Sequence, residues 1–330
     1  MLDTFKQLLG DNAADDMHCA STLAGVIAMQ QSDASFHASM TIIGQALTPY
    51  IVGNILTDTQ SHFDTVSLTF HHLHQQFGDD VVVVKGNLLD EDTSTLKSLL
   101  GALSKTFNVD IGVQLSQPSL SAGGLLVMDM DSTVIGIECI DEIAKLADVG
   151  QEVTEVTEKA MRGEIAFNES LHHRVACLEG VPVEHLRQIR DSLPIMPGIQ
   201  GLISELKKHN WKLAIASGGF TYFADHLKQR LELDYATSNT LVIEKGLLTG
   251  KVEGAVVNAD VKADTVKQLA SKWNISDSQT VAMGDGANDL VMMATSALGV
   301  ACHGKPVVNE KADVAIRVGS LHSLLYFLDK

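Results

Sequence analysis

Cysteine is scarce in this sequence, which has four cysteines among 330 residues. No two of them form a CxxC pair, the spacing typical of structural zinc sites and of many redox motifs. Small secreted domains, by contrast, depend on dense disulfide frameworks. We therefore expect a reducing compartment, with neither a disulfide framework nor a structural zinc site built from the four scattered positions: Cys19, Cys139, Cys177 and Cys302.

Basic residues are also few. Lysine and arginine together number 24, against 41 aspartates and glutamates, and the formal net charge is -17. Nucleic acids and anionic membranes bind basic faces, so this balance argues against both as main partners. A phosphate-bearing small molecule would need local positive charge, supplied by a metal ion, a lysine, an arginine or backbone N–H groups.

Long apolar runs are missing. No uninterrupted apolar stretch reaches the ~18 residues of a membrane-spanning helix. Residues 1–6 lack a basic segment followed by an apolar run, the pattern of a secretory signal. Charged residues make up 20% of the chain and hydrophobic residues 45%, values typical of a globular protein. We expect a cytoplasmic protein, long enough for two or more domains.

Residues 1–120 are predicted to form a small α+β domain. Beyond residue 35 the pattern alternates between the strand period of two and the helix period of 3.6. The resulting order β-α-β-β-α-β is that of a ferredoxin-like module and resembles an ACT-like regulatory domain. A dimerisation or packing module is the alternative, because a fold alone does not specify a function. The predicted elements are residues 39–44, 49–61, 64–71, 81–84, 92–105 and 109–115.

The segment after residue 120 begins with a strand that ends in two acids. Residues 117–124 contain proline, serine and glycine and read as a linker. Residues 125–128 are a short apolar run typical of a buried parallel strand. Asp129 and Asp131 follow at once, where ligands bind in open α/β sheets. The simpler alternative is that these acids, with Ser132 and Thr133, end the strand and cap a helix.

Three further motifs occur downstream in a consistent order. Strand 212–216 ends in a Ser-Gly-Gly turn, whose backbone N–H groups could approach an anion. Lys262 lies near a helix N-terminus, against the macrodipole, which a nearby anion would explain. Strand 280–283 then delivers Asp285 between two glycines. This last motif lacks the third glycine of the dinucleotide fingerprint.

Residues 136–193 read as a block of helices between two strands of the sheet. A block of this size predicts a helical cap inserted over an active site. Glu138, Phe167 and Arg174 stand out within it. Each of these residues alone is better explained as a solvated or core residue than as a contact to a ligand.

The four motifs together resemble those of the haloacid dehalogenase superfamily. The runs I-E-C-I-D-E-I-A, A-M-R-G-E, H-R-V, S-G-G-F and G-D-G-A-N-D-L narrow the resemblance to the phosphoserine phosphatase family. The similarity covers about residues 121–325. It implies an α/β fold with a Rossmann-like parallel sheet and an inserted helical cap, and the hydrolysis of O-phospho-L-serine, the last step of L-serine biosynthesis.

The resemblance also implies roles at the sheet edge. Asp129 would be the nucleophile that forms an aspartyl-phosphate, and Asp131 the proton donor and general base. Mg²⁺ would be held by Asp129, Asp285 and the main-chain carbonyl of Asp131. Oxygen ligands of this kind suit a hard cation. Substrate contacts and support would come from Ser217, Gly218, Gly219, Lys262, Asn288 and Asp289.

The predicted cap would provide specificity. The resemblance implies that Glu138 pairs with the substrate ammonium and Arg174 with its carboxylate, while Phe167 and Met161 exclude water. A phosphatase of broader range or a phosphotransferase is one alternative, and an inactive amino-acid sensor is another. We expect a small-molecule substrate and a possible homodimer, with no nucleic acid and no membrane as partners.

Overall fold

The computed structural model describes residues 35–162 and 164–330, without the side chain of Met161. The water-excluding role predicted for Met161, and any pattern within residues 1–34, lie outside the described part. Contacts divide the chain into two units. The first comprises the residues up to Ser121 together with Val300–Lys330, and the second comprises Ala122–Gly299.

The N-terminal part of the first unit is a four-stranded antiparallel sheet with two helices. The sheet order is β2-β3-β1-β4; β1 lies between two partners, and all seven of its residues are buried. Helix α1 begins after Thr48, whose hydroxyl accepts the N–H of Ile51, with Pro49 in the first turn. The elements, in the predicted order, are β1 (Ala38–Gly44), α1 (Pro49–Thr59), β2 (Phe63–Phe70), β3 (Asp80–Leu88), α2 (Ser94–Phe107) and β4 (Asp110–Gln114).

The C-terminal residues of the first unit are tied to this sheet by a buried carboxylate. Asp110 of β4 is 1% exposed and accepts the N–H groups of Arg317, Val318 and Gly319 at 2.7, 3.0 and 2.8 Å. A 3-10 helix follows at Leu321–Phe327, and most of its side chains are buried. The elements here, after β10 (Leu298–Cys302), are α11 (Pro306–Lys311) and β11 (Val314–Ile316), which pairs in parallel with β10.

Asp110→Ala is predicted to destabilise the protein by about 3 kcal/mol or more, because three inward-facing N–H groups lose their acceptor. Urea unfolding at neutral pH measures the loss. Asp64→Ala, at an exposed position of β2 in the same sheet, is the control and is expected to change stability by less than ~0.5 kcal/mol. Equal effects of the two substitutions would show that the Asp110 hydrogen bonds contribute little.

The second unit is built on a mostly parallel sheet. Five of its strands are neighbours in the order β9-β5-β6-β7-β8, and only the β7–β8 pair is antiparallel. Strand β5 lies in the middle, and all four of its residues have 0% exposure. The strands are β5 (Leu125–Met128), β6 (Lys212–Phe220), β7 (Tyr235–Glu244), β8 (Leu247–Glu253) and β9 (Thr280–Gly284).

One strand prediction needed correction. Strand β6 continues to Phe220 instead of ending at residue 216, because Phe220 pairs again with Asn239 after an irregular stretch. The helices of the sheet layers are α7 (Ile199–Lys208), α8 (Thr221–Arg230), α9 (Ala259–Trp273) and α10 (Leu290–Thr295).

Four helices fill the segment between β5 and α7. No strand interrupts them in its described part, in agreement with the predicted helical block. They are α3 (Cys139–Leu146), α4 (Gly150–Met161), α5 (Phe167–Ala176) and α6 (Val183–Asp191). Across residues 35–162 and 164–330, helices fall short of the length and apolar character that crossing a membrane requires.

Candidate active site

Asp129 and Asp131 lie directly beyond the end of β5. The N–H of Asp129 still donates to the carbonyl of Met283 at 2.9 Å, so the β9 pairing fixes the position of this residue. The chain then turns sharply, because the Met130 carbonyl accepts the N–H groups of Thr133, Val134 and Ile135. The two carboxylates are 5% and 8% exposed. The parallel sheet therefore presents two nearly buried acids at its carboxyl edge.

Lys262 supplies a buried positive charge next to Asp129. Its Nζ lies 2.9 Å from Asp129 Oδ2 and 2.7 Å from Asp289 Oδ1, and the side chain is 1% exposed. Burial alone would lower the pKa of Lys262, but the carboxylates of Asp129 and Asp289 hold this pKa above its ordinary value. Helix α9 positions the lysine in its first turn after Asn258, whose side chain accepts the N–H of Val261.

Acidic groups outnumber this lysine. Side-chain oxygens of Asp129, Asp285 and Asp289 lie within 4.8 Å of one another. Burial first, and then the charges of Asp129 and Glu138, raise the pKa of Asp285 to about 6. In addition, Asp131 Oδ1 is buried without a hydrogen-bond partner among the described residues. Crowded carboxylates and an orphaned oxygen fit a site for a hard, oxygen-coordinated cation.

The raised pKa of Asp285 predicts how the stability of the protein depends on pH and on a bound metal ion. Its folded pKa is raised from 3.8 to about 6, so the stability it contributes is present below pH 4 and is lost as pH rises through 6. In EDTA we expect a loss of about 3 kcal/mol across this window. A divalent cation that binds the folded state should restore it at pH 7. Thermal melts from pH 4 to 7 measure the effect. Asp285→Asn is the control. Asp131 and Asp289 also have raised pKa values and add their own pH dependence, so the drop should be smaller in this variant but not absent. A drop as large as that of the wild type would contradict the raised pKa of Asp285.

The Ser217-Gly218-Gly219 turn brings bare backbone close to the two acids. A Cβ at Gly219 would lie 2.6 Å from Met130 Cε and 3.0 Å from Asp131 Oδ2, so a larger residue would have to displace these side-chain ends. Ser217 is 1% exposed, and its Oγ accepts the Gly219 N–H at 3.0 Å. The Ser217 hydroxyl hydrogen can therefore still be donated to an anion.

Phe167 brings the helical block against this turn. A Cβ at Gly218 would lie 3.1 Å from Phe167 Cζ, so the ring packs directly over the glycine. Asn168, the next residue of α5, accepts a hydrogen bond of 3.4 Å from Asn258 at the start of α9. These contacts place the start of α5 against the Ser217-Gly218-Gly219 turn and the start of α9.

Glu138 and Arg174 have opposite charges, yet neither forms an ion pair within residues 35–162 and 164–330. Glu138 remains accessible to solvent, and partial desolvation with the charge of Asp129 raises its pKa. Burial lowers the pKa of Arg174, an effect that Asp141 and Glu138 oppose. The Arg174 Nε atom is buried with no hydrogen-bond partner in the described part of the chain. Both charges thus remain available to a ligand.

Comparison with known proteins agrees with this geometry. A family model described as haloacid dehalogenase-like hydrolase matches residues 124–296. A phosphoserine phosphatase from Vibrio cholerae is 50% identical over 249 residues, which cover 76% of this chain and 74% of the relative. The chain belongs to the phosphoserine phosphatases of the haloacid dehalogenase-like hydrolase family.

Solved structures extend the comparison. The crystal structure of a probable phosphoserine phosphatase from Vibrio cholerae, in an unliganded form, aligns with a TM-score of 0.72 and 44% identity. The alignment covers 88% of this chain and 86% of that chain. A structure described as a phospho-aspartyl intermediate analogue of phosphoserine phosphatase aligns with a TM-score of 0.59 and 37% identity, covering 63% of this chain and 99% of that chain.

The acids, the lysine and the Ser-Gly-Gly turn that were predicted at the sheet edge lie close together. The structure also shows further residues that support them. Asp289 Oδ2 accepts the Gly286 N–H at 3.0 Å, and the Asn288 side chain lies against Gly286. Thr133, singled out only as a turn residue, donates its hydroxyl to Asp285 Oδ1 at 3.3 Å. Asn239 had not been predicted. It donates to the Gly218 carbonyl at 2.8 Å and accepts the Val257 N–H at 2.9 Å.

Proposed function

We propose that this chain hydrolyses O-phospho-L-serine to L-serine and inorganic phosphate through an aspartyl-phosphate on Asp129. One observation carries the proposal. The acid–lysine cluster and two unpaired, opposite charges, Glu138 and Arg174, belong to the same unit. Phosphoserine carries a phosphate, an ammonium and a carboxylate, so each charged group has a counterpart. In this family the reaction is the last step of L-serine biosynthesis.

In the first step, the Asp129 carboxylate attacks phosphorus, and the bond from phosphorus to the serine oxygen breaks. Lys262, the Ser217 hydroxyl and the Gly218 N–H would bind the non-bridging phosphoryl oxygens, which carry the charge of the transition state. Because Lys262 is already held 2.9 Å from Asp129, positive charge is in place before the substrate arrives. Nucleophile and phosphoryl group are both anionic, so such compensation is required.

Asp131 would protonate the departing serine oxygen. Burial first, and then the charges of Glu138 and Asp129, raise the pKa of Asp131 well above its ordinary value, so this carboxyl can carry a proton. In the second step, Asp131 takes a proton from water as the water attacks phosphorus and releases phosphate. The bond between Asp129 and phosphorus breaks in this step, so the free Asp129 carboxylate and the protonated form of Asp131 are both restored.

A divalent cation, which we propose to be Mg²⁺, would be held by Asp129, Asp285 and the main-chain carbonyl of Asp131. Mg²⁺ prefers hard oxygen ligands, and the cluster provides carboxylates within 4.8 Å of one another. When bound, such an ion neutralises charge on the phosphoryl oxygens. Asp289 also lies in the cluster, and its two oxygens contact Lys262 Nζ and the Gly286 N–H. We propose that Asp289 orients the lysine.

Specificity for the amino-acid part would come from the cap. Glu138 would pair with the ammonium, and the Arg174 guanidinium can bind the carboxylate through two hydrogen bonds. Phe167, packed on Gly218, would exclude water from the phosphoryl group once the substrate is bound. A phosphatase of broader range would leave Glu138 and Arg174 without a ligand.

We propose a regulatory or dimerisation role for the N-terminal α+β module, with an ACT-like fold. Its support is the β-α-β-β-α-β order and the antiparallel sheet of residues 38–114. Two measurements, each with and without L-serine, test these roles. Gel filtration with light scattering gives the mass of the protein in solution, and phosphate release gives its activity. A monomer whose activity and mass do not respond to L-serine would contradict them.

The activity itself is tested by phosphate release from L-phosphoserine, L-phosphothreonine and p-nitrophenyl phosphate, each with Mg²⁺ and with EDTA. Rapid release that needs the cation and favours L-phosphoserine supports the full proposal. Equal rates on all three substrates would remove Glu138 and Arg174 as specificity residues. No release from any substrate would contradict the phosphatase assignment.

A further inference from the structure

Ser132 and Glu138 form a contact that the proposed reaction does not use directly. The Ser132 hydroxyl donates to Glu138 Oε1 at 2.8 Å. Hydrogen bonds to ionised groups are shorter and stronger than bonds between neutral groups. One carboxylate oxygen of Glu138 is therefore anchored, and the other remains for a ligand.

This contact is not the ordinary use of an acid at the start of a helix. Glu138 occupies the N-cap position of α3, where a side chain usually accepts an N–H group of its own first turn. Here the Glu138 side chain forms no capping hydrogen bond. Its carboxylate is instead turned to Ser132, on the loop that carries Asp129 and Asp131.

The backbone at Ser132 has an unfavourable conformation. Its φ angle is +57°, a left-handed value uncommon for residues other than glycine, asparagine and aspartate. The Ser132 N–H donates to the Ile137 carbonyl at 3.2 Å, so this conformation brings Ser132 close to the segment that leads into Glu138. Glycine would fit the angle better, but it would provide no hydroxyl.

We infer that Ser132 is a positioning residue that holds the Glu138 carboxylate toward the substrate ammonium and thereby sets selectivity for an amino-acid phosphate. This inference rests on the proposed function. It concerns the ammonium only, because the phosphate and the carboxylate are assigned to other residues. Removal of the hydroxyl should therefore affect substrates with an amino group and spare those without one.

The test compares L-phosphoserine with 3-phosphooxypropanoate, which keeps the phosphate and the carboxylate but lacks the amine. The measured quantity is the ratio of the two kcat/KM values. In Ser132→Ala we expect this ratio to fall about tenfold, the effect of losing one hydrogen bond to a charged group, mainly through a higher KM for L-phosphoserine. General damage to the active site would lower both kcat/KM values and leave the ratio unchanged.

Ser132→Gly is the matched control for the backbone. Glycine accepts a φ angle of +57° without strain, so Ser132→Gly should fold at least as well as the wild type. If it loses selectivity to the same extent as Ser132→Ala, the missing hydroxyl is the cause. Recovery of wild-type selectivity in Ser132→Gly would overturn the inference. In a Glu138→Gln background, Ser132→Ala should change the ratio by less than about twofold, because contacting residues that act together are not additive.

The outcomes separate the two levels of the argument. If the wild type did not hydrolyse L-phosphoserine, the proposed function would be wrong. If the wild type favoured L-phosphoserine over 3-phosphooxypropanoate and both Ser132 variants kept that preference, only the role of Ser132 would be wrong.

Discussion

Asp129→Asn is expected to lower kcat for L-phosphoserine by at least about 10⁴-fold, since an amide cannot form the aspartyl-phosphate and nucleophile deletions have effects of this size. The substitution keeps the shape of the side chain, so binding of substrate should be retained. Stability should not fall, because one of the crowded carboxylates becomes neutral. Steady-state phosphate release and thermal melts measure the two effects.

Asp264→Asn is the matched control for the nucleophile. Asp264 lies on α9 like Lys262, but its side chain is exposed. We expect kcat to change by less than about twofold in this variant, as for most surface positions away from a site. A kcat for Asp129→Asn within tenfold of the wild type would contradict the assignment of Asp129.

Lys262→Met is expected to reduce both activity and stability. The lysine lies between Asp129 and Asp289, so its removal leaves two nearly buried carboxylates without compensation, at a cost of about 3–5 kcal/mol. The proposed contact of Lys262 with the phosphoryl group is lost as well, and we expect kcat to fall about 10³-fold, as for removal of a strong electrostatic contact. Denaturant unfolding and phosphate release measure the two losses.

The stability loss in Lys262→Met should shrink as pH falls from 7 to 5. Protonation of the uncompensated carboxylates removes the unfavourable charge, and stability then rises toward low pH. Lys267→Met, at an exposed position of the same helix, should lack both effects. If the stability loss in Lys262→Met did not change with pH, the destabilisation would come from lost packing and not from uncompensated charge.

Much of the candidate site could be predicted from the sequence, because its signals are local. Residues 125–128 are apolar and are followed directly by Asp129, and parallel strands place their carboxyl ends at one edge of a sheet. The same rule brought Asp285 and the Ser217 turn to that edge. Lys262 was conspicuous because a cation in the first turn of a helix opposes the macrodipole.

Other features depend on tertiary structure and have no local signal. Asn239 supports Gly218 from a neighbouring strand, and an asparagine within a strand pattern does not reveal its partner. The contact of Ser132 with Glu138 depends on a positive φ angle, which serine rarely adopts. The association of Val300–Lys330 with the N-terminal module includes three hydrogen bonds to Asp110, an acid whose burial the sequence does not show.

The central claim is that Asp129 becomes covalently phosphorylated, and the most direct test is an acid quench of the enzyme during turnover of L-phosphoserine. Intact-mass measurement should show the gain of one phosphoryl group, and borohydride reduction followed by peptide mapping should place it on Asp129. The adduct should be lost on treatment with hydroxylamine and be absent from Asp129→Asn. Turnover without an adduct on quenching, or an adduct on another residue, would contradict the account.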